Sequence, residues 1–372
     1  MTTAEPIAFV DLGAMQRPLH DDLRAAFNRV LDHGRYVLGP EVATFESALA
    51  SYVGVDHTVG VSSGTDALLA TFLALDYPPG SEVITTPFTF ISTATSVLRA
   101  GLRPVFADLP VDGLHPDAAA IEAMIMPKTR AVLVVHLFGS PVDLAAISAL
   151  CDAHGLDLIE DCAQAIGART DGCHVGSIGR AGTLSFFPAK NLGALGDGGA
   201  VLTNDEELAA RVRAVRQHGC VVKYRHDRLG GNFRLDALQA AMLGVLLPAL
   251  DGWLEQRRAN AKLYDVALSG LADAIALPKH VQGHTYNQYV IRSEQRDAIK
   301  ARLTQERIGC AIYYPFALHT QPALAAAGPL AECPNAVRRC DEVLALPIAP
   351  GLRPNQVERI AAVLADVVAS GG

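Results

Sequence analysis

Apolar positions along the chain follow two different periods. Over residues 19–31 they recur at helical spacing (Leu23, Ala26, Phe27, Val30, Leu31), which predicts an amphipathic helix. Gly34 and Gly39-Pro40 bound a turn, and residues 41–52 predict a second helix. From Val59 onward the pattern becomes apolar run, turn, helix, repeated. Runs at 59–61, 82–86, 104–108, 130–137 and 156–161 read as strands, and the stretches 67–75, 88–98, 116–124 and 144–154 read as helices. The run 130–137 (RAVLVVHL) is almost continuously apolar, as expected of a strand covered on both faces. This alternation predicts an α/β fold, with a mostly parallel mixed sheet flanked by helices.

The second half is less regular. Residues 200–203 read as a strand and 205–216 as a helix whose acidic start and basic end match its dipole. A charged loop over 223–236 precedes a long helix predicted over 237–264, which leads to a smaller C-terminal α/β domain. There 288–292 and 310–314 read as strands around a helix at 295–306, and 357–368 as a closing helix. The expected division is a large domain over 1–250, including the N-terminal helical segment, and a small domain over 251–372.

Composition narrows the function classes. The chain has 372 residues, half of them hydrophobic, enough for a sizeable core. Its formal net charge is −8 with no long basic run, which disfavours nucleic-acid binding. The seven cysteines are odd in number and form no C-x-x-C pair, so neither a disulfide framework nor a metal site is expected, and a reducing cytoplasm is the simplest setting. Residues 1–12 lack the charged and apolar regions of a signal peptide. The most apolar stretch, 240–250, is too short to span a bilayer and contains Pro248, so no membrane association is expected. Gly176, Gly179 and Gly182 do not have the G-x-G-x-x-G spacing of a dinucleotide-binding enzyme.

The chemistry concentrates between 156 and 204. Lys190 is one of few lysines in a chain whose positive charge is mostly arginine, and it stands between Phe186-Phe187-Pro188 and a glycine-rich turn over 193–199. Partial desolvation there lowers an amine's pKa and makes it a nucleophile able to form a Schiff base with an aldehyde. Asp161 ends an apolar run and has two readings: a cap for the following helical turn, or a ligand group at the carboxyl end of a parallel strand. The stretch Ser62-Ser63-Gly64-Thr65-Asp66 joins a strand to a helix start, either as ordinary caps or as an anion site where free N–H groups point at a ligand.

Three runs taken together carry a family resemblance: Glu160-Asp161-Cys162-Ala163-Gln164-Ala165, then Ser185-Phe186-Phe187-Pro188-Ala189-Lys190-Asn191-Leu192-Gly193, then Gly196-Asp197-Gly198-Gly199-Ala200. The chain resembles the DegT/DnrJ/EryC1/StrS group, the pyridoxal-phosphate sugar aminotransferases of aspartate-aminotransferase fold, over nearly its whole length. The resemblance implies that Lys190 carries pyridoxal 5'-phosphate, that Asp161 pairs with its ring nitrogen and that Gln164 lies beside the ring. It implies that Phe90 lies flat against the ring and that Gly64, Thr65 and Ser185 hold the phosphate. Asn232 would reach across a homodimer interface to the neighbouring phosphate. Lys223 and Arg225 would meet a substrate diphosphate, and Tyr313, Tyr314 and His319 would line the substrate entrance. The implied activity moves an amino group, by analogy from L-glutamate, to a nucleotide-diphosphate-linked keto-deoxysugar. Keto-inositol amination and a non-catalytic regulator are the alternatives. A dehydrating branch with histidine in place of the lysine is disfavoured by Lys190. Ala189 and Cys162 depart from the family's usual residues at their positions, and neither supplies a group that the chemistry needs.

Overall fold

The computed structural model describes residues 5–370, so the first four residues of the stretch read as lacking a signal peptide lie outside it. Seven strands form the central sheet: β1 (His57–Val61), β2 (Glu82–Thr85), β3 (Arg103–Phe106), β4 (Thr129–Val135), β5 (Asp157–Asp161), β6 (Ala181–Ser185) and β7 (Gly199–Thr203). Their spatial order is β1-β7-β6-β5-β4-β2-β3. Every neighbouring pair is parallel except those made by β7, which runs antiparallel to both β1 and β6. The predicted α/β fold with a mostly parallel mixed sheet is therefore what the chain adopts.

Successive side chains of a strand point to opposite faces, and here both faces are covered. Val83, Leu133 and Ile159 pack with the helices Gly64–Leu75 and Glu206–Val215, whereas their neighbours Ile84, Val132 and Leu158 pack on the other side with the helix Ala145–His154. Local capping sets the start of the helix Glu206–Val215. The Asp205 side chain accepts from the N–H of Leu208 at 2.9 Å, with Glu206 and Glu207 in the first turn.

Three departures from the expected elements have physical causes. Strand β6 (AGTLS) is not conspicuous in the sequence, because its small residues have low strand preference. They are required by packing: a Cβ on Gly182 would lie 2.5 Å from the Cα of Gly176. The helix expected over 237–264 is two helices, Ala237–Leu246 and Leu250–Ala267, joined by the 3-10 turn Leu247–Ala249 around Pro248, whose missing N–H breaks the helical ladder. Among the described residues Ala237–Ala267, taken whole, is the one stretch long and apolar enough to cross a membrane, and over half of its most apolar window is buried inside the protein.

The third departure lies in the C-terminal region. Strand β8 (Tyr289–Arg292) forms as expected, but its antiparallel partner is β9 (Val343–Leu346), not the stretch 310–314. That stretch makes a single bridge, Ala311 to Ala345, and Pro315 follows directly. A second apolar cluster surrounds this small sheet and takes in Ala261, Tyr264 and Leu268, while Leu250 and Leu254 of the same helical stretch belong to the core under the large sheet.

Candidate active site

The carboxyl end of β5, the segment after β6 and the start of the helix Gly64–Leu75 enclose a cavity of about 390 Å³. Gly64, Thr65, Phe90, Asp161, Gln164, Ser185, Lys190, Tyr313 and Tyr314 all line it. These residues come from five separate stretches of chain, and the sheet order brings them together at one end of the strands, where open α/β sheets bind ligands.

Asp161 is the last residue of β5 and is buried. Its Oδ2 accepts from the Thr93 hydroxyl at 3.0 Å and its Oδ1 from the N–H of Ala163 at 3.1 Å. Burial raises its pKa; those two hydrogen bonds and the Lys190 charge oppose the rise. Lys190 follows a tight turn in which its N–H donates to the Phe187 carbonyl at 2.8 Å. Burial of the amine lowers its pKa to about 8, against the pull of Asp161. Two mutually compensating charges thus face one enclosed space.

The phosphate-sized end of the cavity is built from backbone and hydroxyls. Ser63 caps the helix by accepting from the N–H of Asp66 at 3.0 Å, leaving the first-turn N–H groups of Gly64 and Thr65 for an anion. The Thr65 and Ser92 hydroxyls are 2.7 Å apart. A Cβ on Gly64 would lie 2.6 Å from Cβ of Ser185, so only glycine lets the helix start come this close to β6. Phe90 exposes 54% of its surface although it is aromatic, and it does so along the cavity wall. An exposed flat ring, a buried carboxylate, a desolvated lysine and an anion cradle together fit the ring, ring nitrogen, aldehyde and phosphate of pyridoxal phosphate.

Behind Asp161, Glu160 points the other way and organises the sheet end. Its Oε2 accepts from His136 Nε2 at 3.0 Å and from the N–H of Gly176 at 2.7 Å, and its Oε1 from the N–H groups of Ile178 (2.9 Å) and Gly179 (2.7 Å). His136 Nδ1 accepts from the N–H of Val142 at 3.0 Å, so the proton sits on Nε2. Burial pushes the Glu160 pKa up, but the His136 hydrogen bond and the backbone donors outweigh it and hold it below the usual carboxylate range. His136, Glu160 and Cys162 offer metal-ligand atoms within 4.8 Å of one another, yet both Glu160 oxygens are already occupied by these four donors.

The four other residues singled out in the sequence lie elsewhere. Lys223, Arg225 and Asn232 are exposed and outside the cavity. His319 sits in the turn Leu318–Thr320, in a surface depression with Glu332 and Arg338, because Leu318 is drawn onto the loop after β2 by its N–H bond to the Pro87 carbonyl (2.7 Å). Sequence reasoning missed Thr93 and Gln288, while Ser63 is the cap that the helix-start run offered. Thr89, in the bend before the helix Ser92–Arg99, and Thr93, in its first turn, pair their hydroxyls at 3.2 Å, and their spacing of four was the available signal.

A family model described as the DegT/DnrJ/EryC1/StrS aminotransferase family matches residues 19–365. The chain belongs to that family. The family is pyridoxal-phosphate dependent, and the groups lining the cavity fit that cofactor. A UDP-N-acetyl-3-dehydro-alpha-D-glucosamine 3-aminotransferase of Acidithiobacillus ferrooxidans is 44% identical to this member, covering 98% of each chain. A protein of Geobacillus stearothermophilus named as a pleiotropic regulatory protein is 43% identical, covering 95% of this chain and 98% of its own. The crystal structure of S. venezuelae DesV in complex with a ketimine intermediate superposes on it with a TM-score of 0.93 at 40% identity, covering 98% of each chain.

Proposed function

We propose that this aminotransferase moves an amino group from L-glutamate to the keto carbon of a nucleotide-diphosphate-linked deoxysugar, working as a homodimer in the cytoplasm. The observation that carries the reading is the pairing of buried Asp161 with desolvated Lys190 in one cavity. Relatives named as UDP- and dTDP-sugar aminotransferases support the acceptor class. The seven free cysteines agree with a reducing compartment.

Each residue has a definable task. Gly64, Thr65 and Ser185 would hold the cofactor phosphate, Phe90 and Gln164 would flank the ring, and Lys190 would carry the cofactor. When bound, pyridoxal phosphate supplies the electron sink for breaking the substrate's Cα–H bond. Asp161, as a carboxylate, stabilises a proton on the ring nitrogen facing it. With a pKa of about 8, about a tenth of the free Lys190 amine is neutral at pH 7. The released amine can therefore take a proton from the substrate carbon and return it elsewhere as an ammonium. In the dimer, Asn232 of one protomer serves the phosphate end of the other's cavity, and Lys223 and Arg225 meet the sugar's diphosphate. Tyr36, Val37, Phe187, Leu195 and Leu229 are exposed apolar side chains that such an interface would cover.

The test is the near-ultraviolet and visible spectrum of the purified protein. A cofactor band that converts to the amine form on adding L-glutamate, and returns on adding a keto-sugar nucleotide, supports the assignment. No band after supplying pyridoxal phosphate would leave the regulator reading in its place.

A further inference from the structure

A second cavity, of about 620 Å³, is lined in part by Phe138 and Gln288. Gln288 lines both this cavity and the cofactor cavity. Its floor comes from the small sheet and its roof from the loops that follow β3 and β4.

Two arginines meet at its inner end. Arg339 is 97% buried by its 3% exposure, and its Nη2 donates to the carbonyls of Val111 (2.8 Å) and Gly113 (3.0 Å). Its Nε is buried with no partner. Arg292, on β8, makes no side-chain hydrogen bond among the described residues. Its nearest acids are Asp112 at 3.7 Å and Glu342 at 3.6 Å, both beyond hydrogen-bond reach. Glu342 also stands 3.7 Å from Arg339, and its other oxygen is held by Arg338 at 2.5 Å. Three arginines thus share Glu342 and the largely exposed Asp112, with Glu294 also facing Arg338. Burial lowers the Arg339 pKa to about 10, and the like charge of Arg292 adds to the effect. At the rim Arg169 and Lys279 balance Asp143 and Asp171. The remaining walls are largely apolar, including Leu114, Val142, Leu277 and Val281.

The planar Arg292 guanidinium, with its donors unspent, is suited to a multidentate oxyanion, and the apolar walls suit an uncharged body attached to it. We infer that this cavity is a second ligand site, separate from the cofactor cavity, for a small organic phosphate with an apolar or ring-shaped body, its phosphate held by Arg292 beside the buried charge of Arg339. A ligand there ties the small sheet to the large one and abuts the wall shared through Gln288. The inference does not depend on which substrate the enzyme aminates.

The experiment is titration calorimetry of the cofactor-loaded enzyme with phenyl phosphate, with phenylacetate as the carboxylate control. The expected result is one phenyl phosphate per chain, bound at least tenfold more tightly than phenylacetate. Arg292→Met, which removes the charge, and Val281→Trp, which fills the cavity, should each weaken binding at least tenfold, with the cofactor spectrum and kcat within about twofold of wild type. Absence of binding, a preference for phenylacetate, or unchanged affinity in either variant would overturn the inference.

Discussion

Gln164 and Tyr314 are joined by a hydrogen bond of fixed polarity. The Gln164 Oε1 accepts from the backbone N–H of Phe138 at 2.7 Å, a group that can only donate. Its Nε2 must then donate to the Tyr314 hydroxyl, 3.0 Å away. The Tyr314 proton is therefore not used on Gln164 and is available to a ligand in the cavity that both residues line. The contact spans 150 positions in sequence and ties the end of β5 to the stretch that leaves the small sheet.

Tyr314→Phe keeps the ring and removes that donor. The expected result is a fall in kcat/KM on the order of tenfold, the worth of one hydrogen bond to a ligand, with cofactor content unchanged. Steady-state kinetics beside the cofactor absorbance checks it. Loss of the cofactor instead would give Tyr314 a holding role.

Lys190 connects pH to cofactor capture. Its pKa is lowered to about 8, so its reactive neutral fraction rises from about a tenth at pH 7 to about nine-tenths at pH 9. Capture of pyridoxal phosphate by the cofactor-free enzyme should accelerate about tenfold over that range and then level off. A midpoint near that of an ordinary lysine would show that the amine is hydrated. Lys190→Ala, assayed with no added amine, should lose essentially all turnover.

Gly64→Ala places a methyl group 2.6 Å from Cβ of Ser185. Overpacking of this kind costs about 1–3 kcal/mol, so the helix start must retreat from β6 and the phosphate end opens. Cofactor affinity should fall about 10- to 100-fold in a fluorescence titration, with little change in the far-ultraviolet circular dichroism. An unchanged affinity would separate Gly64 from the cofactor.

Glu160→Gln replaces an acceptor of four hydrogen bonds with a group that must itself donate. A loss of about 2–4 kcal/mol is expected from the unpaired buried donors. The folded pKa of Glu160 is depressed, so its contribution is present above the unfolded carboxylate value of 4.5 and is lost as pH falls through the lower folded value. The difference in thermal midpoint between wild type and variant should be full at pH 7 and shrink in acid. A gap that is constant with pH would mean that the carboxylate charge is not what the four donors hold.

Locally encoded features were legible without the structure. Apolar runs such as 130–137 demand cover on both faces wherever they lie, and Asp205 announces a helix start from its neighbours alone. Lys190 could be singled out because a lysine between aromatic residues and a glycine turn is chemically unusual in any fold, whereas Asp161 kept two readings on spacing alone and Ser185 gained a role only through the family resemblance.

Partner choice was not legible, because it depends on surfaces brought together from distant positions. The stretch 310–314 and the strand β9 are both short apolar runs, and only packing selects β9 as the partner of β8 while turning Tyr313 and Tyr314 into the cofactor cavity. The small residues of β6 look weak in isolation and become necessary once Gly182 meets Gly176. The second cavity, with Arg292 and Arg339 facing it, exists only where the small sheet meets the loops of the large one. The chain's own periodicity and residue chemistry thus decide which faces are buried and which groups are reactive. Three-dimensional packing decides which of those groups meet, since steric fit and hydrogen-bond polarity between distant segments have no counterpart in local sequence.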